Sequence, residues 1–177
     1  MKKLSLDELN RINIDQFKEA KKFPLVVILD NIRSMHNIGA VFRTGDAFRI
    51  EKLYLCGITA TPPDKEITKT AIGATESVDW EYNKSTLEVV EKLKTEGYKT
   101  YALEQCENAE QLNQFQPDQR KVAIVLGNEV QGVQQSVIDV CHGAIEIPQY
   151  GTKHSLNISV SAGVLIWDLF LKQNVDW

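Results

Sequence analysis

The sequence predicts an α/β fold with a mostly parallel sheet and helices on both faces, and three observations carry that expectation. Apolar, β-branched runs alternate with segments of helical spacing along most of the chain, the order that βαβ units produce. Two of those runs, residues 24–29 and 122–126, contain no polar residue to turn towards water, which suits strands covered on both sides. The composition is globular, with 177 residues of which 43% are hydrophobic and 25% charged, within the range of one domain and outside that of disordered or fibrous chains.

Each element follows in order. Ser5-Leu6-Asp7-Glu8 reads as a capping box, and Leu6, Leu9, Ile12 and Phe17 roughly follow a helical spacing, so residues 5–20 are predicted as an N-terminal helix that Pro24 closes. Residues 25–29 form the first strand. A polar turn over 30–37 leads into a helix over 38–48, with Asn37 near its N-cap. Residues 53–56 are a second short strand, 57–64 a loop containing Pro62-Pro63, and 67–71 one helical turn. Residues 77–82 alternate as a strand does. Leu87, Val90 and Leu93 define a helix over 86–94 that Gly97 stops. Strand 98–103 is followed by a polar stretch to Arg120. Then come strand 122–126, helix 134–140, strand 144–147 and a long helix over 155–172. Trp80, Trp167 and Trp177 read as structural, Trp167 in the core or a dimer interface. Residues 1–177 read as one domain, with 1–23 a helical extension on a fold spanning 24–177; no repeat or linker interrupts it.

Composition also excludes. The longest apolar runs are about a quarter of the ~20 residues that a membrane span needs, and the N-terminus turns acidic without an apolar h-region. A cytoplasmic protein without a membrane partner is expected. Cys56, Cys106 and Cys141 form no C-x-x-C pair, and His36, His142 and His154 stand at no ligand-like spacing to them, so neither a disulfide framework nor a metal site is expected. The net charge of −4, from 20 Lys+Arg against 24 Asp+Glu, argues against non-specific coating of nucleic acid. It hides an asymmetry: residues 31–73 carry six cations against four acids, and 74–120 carry ten acids against five cations. A polyanion would meet the first stretch.

Three segments are unlike ordinary connections. In residues 31–49 a strand end opens a helix through a loop rich in hydrogen-bonding groups, where Arg33, His36 and Arg43 can converge on an anion; a capped helix with exposed arginines explains the segment equally well. Leu126-Gly127-Asn128-Glu129-Val130-Gln131-Gly132 brackets a carboxylate between glycines directly after a buried strand, and ligands of open α/β sheets sit beyond strand carboxyl ends. It is neither a dinucleotide fingerprint nor a Walker loop. In residues 147–161, a helix beginning Ser-Leu-Asn-Ile-Ser-Val-Ser defies helix propensity, and local rules tend to fail at functional sites.

In this order and separation the three segments resemble the SpoU (TrmH-like) family of RNA ribose methyltransferases in the SPOUT superfamily. The match lies in Asn37-x-Gly39-x-x-x-Arg43, in Leu126-Gly127-x-Glu129-x-x-Gly132 and in Ile147-Pro148-x-x-Gly151-x-x-x-Ser155-Leu156-Asn157. Gln149 stands where the family often has Met. The resemblance implies a C-terminal deep trefoil knot, a homodimer with the site at its interface, and transfer of a methyl group from S-adenosylmethionine, without a metal, to a ribose 2′-hydroxyl of RNA. By the same resemblance Arg43 is the central catalytic residue, with Asn37, Glu129, Ser155 and Asn157 orienting it, the ribose and the donor. A guanidinium stays protonated, so Arg43 is expected to stabilise the developing alkoxide and fix the phosphate. Leu103, Leu126, Gly127, Asn128, Gly132, Ile147, Pro148, Gln149 and Leu156 are expected to hold the donor. Arg33, His36, Arg49, Lys65 and Lys69 are expected to contact RNA phosphates. The stretch from Thr95-Glu96-Gly97-Tyr98 through Glu104-Gln105, together with Ile147-Pro148-Gln149, looks closest to tRNA-guanosine enzymes, so tRNA is favoured over ribosomal RNA. A ribosomal RNA enzyme, or an RNA-binding relative without chemistry, are the alternatives. A nucleotide-binding oxidoreductase would want glycines after the first strand, where Asp30-Asn31-Ile32-Arg33-Ser34 has none.

Overall fold

The computed structural model describes residues 1–5, 7–117 and 121–173; Leu6, Arg120 and Trp177 lie outside them. Seven strands form one sheet: β1 (Phe23–Asp30), β2 (Ile50–Cys56), β3 (Trp80–Asn83), β4 (Lys99–Leu103), β5 (Glu110–Gln111), β6 (Val122–Leu126) and β7 (Gly143–Glu146). Seven α-helices accompany them: α1 (Ile14–Glu19), α2 (Met35–Ala47), α3 (Lys65–Ala71), α4 (Ala74–Ser77), α5 (Thr86–Thr95), α6 (Gln135–Ile138) and α7 (Ile158–Lys172). The sheet order is β3-β2-β1-β6-β4-β7-β5, and every ladder in it is parallel.

The uniformly apolar strands sit at the centre because both of their faces are covered. Leu25, Val27 and Leu29 of β1, with Val122, Ile124 and Leu126 of β6, join Ile38, Phe42, Ile67 and Leu165 in one core. Val26, Ile28, Ala123 and Val125 point the other way, onto Val89, Val90 and Val137. Side chains alternate across a strand, so one run feeds two cores. Register brings Leu29, Leu55, Leu126 and Leu103 level at one edge of the sheet. There the buried Asp30 carboxylate accepts hydrogen bonds from Thr86 Oγ1 (2.6 Å) and the Gln134 amide (3.2 Å), drawing the starts of α5 and α6 to the same edge.

Several boundaries differ from expectation, each for a local reason. Instead of one helix over 5–20 there is a 3-10 turn at Asp7–Leu9 and then α1. The Ser5–Glu8 box does form, but Leu9 and Ile12 find no cover, Asn10 turns to φ 47°, and α1 starts from its own Asn13–Gln16 capping box. Ser34, not Asn37, caps α2; that places Asn37 inside the first turn with its amide free for long-range contacts. The helical turn expected over 67–71 is the seven-residue α3, which starts at Lys65, and Ser77 ends α4 rather than starting a strand. The polar stretch after β4 contains the two-residue β5. The last helix begins at Ile158 with Asn157 as its cap. Ser155, Leu156 and Asn157 before it are not helical, whereas Ile158-Ser159-Val160-Ser161 form the first turn of α7 despite their weak helix propensity.

Candidate active site

The level edge opens into a cleft of about 520 Å³ between the ends of β4, β6 and β7 and the loop before α7. Its floor is the loop after β6. Asn128 and Gly132 exchange backbone hydrogen bonds of 3.0 and 2.9 Å, and the Asn128 Oδ1 accepts from the Val130 and Gln131 amides at 2.9 and 3.1 Å. So tight a loop leaves no room at Gly127, where a Cβ would meet the Val133 nitrogen at 2.1 Å. Gly132 takes φ 69°, and a Cβ there would strike Glu104 Oε2 at 2.1 Å, the oxygen that accepts the Val133 amide at 3.0 Å. Asn128 Nδ2 donates to the Asn31 carbonyl at 2.7 Å, tying this loop to the one after β1.

Glu129 extends that tie. Its carboxylate accepts from the Arg33 amide (3.1 Å), the Ser34 amide (3.2 Å) and Asn37 Nδ2 (3.2 Å). Burial by itself would raise this carboxyl, but the Arg33, Ser34 and Asn37 hydrogen bonds outweigh it and hold the group below its ordinary value of 4.5. Asn37 Oδ1 in turn accepts from Asn157 Nδ2 at 3.2 Å, and Asn157 Oδ1 caps α7 through the Ser159 amide at 2.9 Å. Residues 37, 129 and 157 thus form one chain of side-chain hydrogen bonds.

The structure sorts the sequence-predicted residues. Leu103, Leu126, Gly127, Asn128, Gly132, Ile147, Gln149 and Leu156 line the cleft, as do Glu129, Ser155 and Asn157. Pro148 lines a shallower hollow on the loop beside it. Arg43 is exposed on α2 outside the cleft. His36 pairs with Glu66 at 2.8 Å, while the side chains of Arg33, Arg43, Lys65 and Lys69 are exposed and carry no ion pair with any described residue. Arg49 follows the C-terminal end of α2 at φ 47°, its carbonyl accepting the Phe23 amide where β1 begins.

Sequence reasoning missed Glu104 and Gln105 as cleft residues, though they follow directly on β4, and position beyond a strand's carboxyl end was the available signal. It also missed the reason for Gly39. A Cβ there would meet Thr70 Oγ1 at 2.1 Å and the Ile67 carbonyl at 2.4 Å, so glycine lets α3 lie against α2. Among the described residues no His, Cys, Asp and Glu side chains group as a metal site would, and no helix is long and apolar enough to cross a membrane.

A parallel sheet whose strand ends hold a glycine-bracketed cleft, bonded through two asparagines to an arginine-bearing helix, defines a SpoU-type domain. The chain belongs to the SpoU rRNA Methylase family, whose model matches residues 24–167. It is 30% identical over 166 residues to a protein of Staphylococcus aureus named for the TrmH family of tRNA/rRNA methyltransferases; the alignment takes in 92% of this chain and 66% of that one. The chain therefore spans just under two thirds of the length of such relatives. Two solved structures share the fold: the A. aeolicus TrmH/SpoU tRNA modifying enzyme, at 24% identity with a TM-score of 0.80 over 90% of this chain and 82% of that one, and the SpoU methyltransferase AviRb of Streptomyces viridochromogenes in complex with AdoMet, at 20% identity with a TM-score of 0.78 over 91% and 64%.

Proposed function

We propose that this chain transfers a methyl group from S-adenosylmethionine to a ribose 2′-hydroxyl of RNA, with a guanosine of tRNA the favoured target and ribosomal RNA the alternative. The observation that carries the reading is the Asn157–Asn37–Glu129 chain of hydrogen bonds, because it couples the cleft to the helix that bears Arg43.

The cleft's volume lies within the range of small-ligand sites. Leu126, Ile147 and Leu156 supply apolar faces for an adenine, and the tight loop after β6 brings backbone groups close enough to read its edge. The donor's sulfonium supplies an already activated methyl group. Breaking the S–CH3 bond while the ribose O–CH3 bond forms releases S-adenosylhomocysteine, and the hydroxyl proton leaves to water or phosphate. Arg43 stabilises the negative charge growing on the 2′-oxygen and holds the adjacent phosphate. Arg33, Lys65 and Lys69 offer unpaired cations to the RNA backbone. His36, already paired with Glu66, is a weaker candidate, and Arg49 at the end of α2 remains among the proposed phosphate contacts.

The functional unit in this reading is a cytoplasmic homodimer. Val160, Val164, Trp167 and Leu171 are each at least 41% exposed and recur at helical spacing along α7, an apolar stripe that a second copy would cover. The family's trefoil knot fits a sheet in which β4 lies between β6 and β7 although it precedes both in the chain.

The test is transfer of labelled methyl to unmodified tRNA and, separately, unmodified ribosomal RNA, with the Arg43→Ala protein alongside. Label in one pool that disappears in the variant supports the reading and identifies the substrate class. No transfer to either pool would overturn it.

A further inference from the structure

We infer that Ile72 is a nucleotide-positioning residue, its side chain standing at the α3–α4 break level with Arg43 and packing on an RNA base next to the target ribose. The inference rests on the methyl-transfer reading above and adds a residue to it.

Ile72 is the C-cap of α3 at φ 49°, ψ 52°. A β-branched side chain in the left-handed region is strained, and glycine would satisfy the same turn without cost. The strain is not compensated by packing, since 66% of Ile72 is exposed. Gly73 follows at φ 85°, and a Cβ built on it would meet nothing within 4 Å, so open space adjoins the break. An isoleucine held in a costly conformation to face solvent has the character of a contact awaiting a partner, and such strain concentrates at functional positions.

Its place identifies that partner. Gly39 lies against Ile67, Thr70 and Ala71, and seven residues further along α2, Asp46 accepts a hydrogen bond from Ser77 of α4. Arg43 stands between Gly39 and Asp46 on the same stripe of α2, and the 72–73 break lies between the matching points of α3 and α4. Lys69, one turn before Ile72, and Arg43 are exposed cations without an ion pair to any described residue. Glu76 is exposed on α4 after the break, so the positive charge lies on the α2 and α3 side, where RNA phosphates would meet Arg43 and Lys69 while an unstacked base rests on the Ile72 side chain. A ribose hydroxyl can be presented for in-line attack only when its nucleotide is held against sliding, and Ile72 would supply that stop.

The experiment compares wild type, Ile72→Gly and Ile72→Leu in thermal melting, donor binding by calorimetry and steady-state transfer to the RNA pool that wild type methylates. For Ile72→Gly the expected results are a melting temperature equal to or above wild type and donor affinity within about twofold. Its KM for RNA should rise roughly tenfold from the lost apolar contact, with kcat changed far less. Ile72→Leu should restore most of the KM. A merely structural residue would lower the melting temperature and leave KM alone. Wild-type KM in a folded Ile72→Gly protein overturns the inference while leaving the methyl-transfer reading intact. A wild-type protein that methylates no RNA overturns both.

Discussion

The cleft beyond β4, β6 and β7 and the Arg43 face lie on either side of the loop after β1, and they are built on opposite principles. In the cleft, polar side chains are already engaged: Asn128, Glu129, Glu104 and Asn157 all accept hydrogen bonds from backbone amides. On the Arg43 face Arg33, Arg43, Lys65 and Lys69 have no ionic partner among the described residues, and His36 lies 2.8 Å from Glu66. A site that must hold the same small molecule each time gains from fixed geometry, because ordering entropy is then spent in folding rather than in binding. A surface that must accept a flexible polyanion gains from charge left unneutralised, which steers and anchors phosphates. The two halves should therefore fail differently when altered.

The largest expected difference is at Arg43. Arg43→Ala should lower methyl transfer by about 10²–10³-fold, the scale on which removing one charge-stabilising donor acts, while donor affinity measured by calorimetry stays within about twofold. Arg43→Lys keeps the charge but loses the planar fork and should recover little. An Arg43→Ala protein that bound the donor poorly would show that the two halves are not separable.

Glu129→Ala strikes the other side. It leaves the Arg33 and Ser34 amides and Asn37 Nδ2 without their acceptor, which should cost about 1–2 kcal/mol in chemical denaturation. Unlike Arg43→Ala, it should weaken donor binding, since the loop that floors the cleft loses its tie to α2. Normal donor affinity with lost activity would reassign Glu129 to the Arg43 side.

Gly39→Ala has an intermediate effect and tests how far the Arg43 face depends on packing. The added methyl would lie 2.1 Å from Thr70 Oγ1 and 2.4 Å from the Ile67 carbonyl. Backbone cannot yield as a flexible side-chain tip can, so α3 must move off α2 at a cost of about 1–3 kcal/mol, or very roughly 2–10 °C in melting temperature. The variant should lose RNA affinity before donor affinity. Equal loss of both would mean that α3 movement reaches the cleft.

The contrast between the halves also explains what could be read from sequence. Apolar runs announced β1 and β6 because they are buried on both faces, and the bounds of β6 agree to the residue. Most of the cleft was legible as well, through glycines and strand ends that occur at fixed places in the chain. What escaped depends on distant contacts. Asn37 looked like a cap, because nothing local tells that Ser34 caps α2 and that Asn37 bonds residues 129 and 157. Gly39 carries no local reason at all; its necessity comes from α3, about thirty residues away. The loop over 155–157 was read as helix because its hydroxyl and amide groups adjoin an unmistakable helix, whereas Asn157 is spent on capping it.

The smallest expected effect is on pH dependence, and it too should divide the halves. Glu129 is held below its ordinary value of 4.5 in the folded chain. A carboxyl lowered on folding contributes stability that is fully present above its unfolded value and is lost as pH falls through the folded one. Donor affinity should therefore be flat through neutral pH and decline only below the ordinary carboxylate range. Glu8 and Glu81 are also lowered, so the meaningful quantity is the difference between wild type and Glu129→Gln. Glutamine resembles the protonated acid, able to accept on one atom only, so the two proteins should differ at neutral pH and converge as Glu129 protonates. Curves that stayed parallel to the acid end would remove Glu129 as the titrating tie. RNA affinity, resting on phosphate contacts, should follow salt. Donor affinity, resting on buried hydrogen bonds and apolar faces, should be nearly indifferent to the same salt.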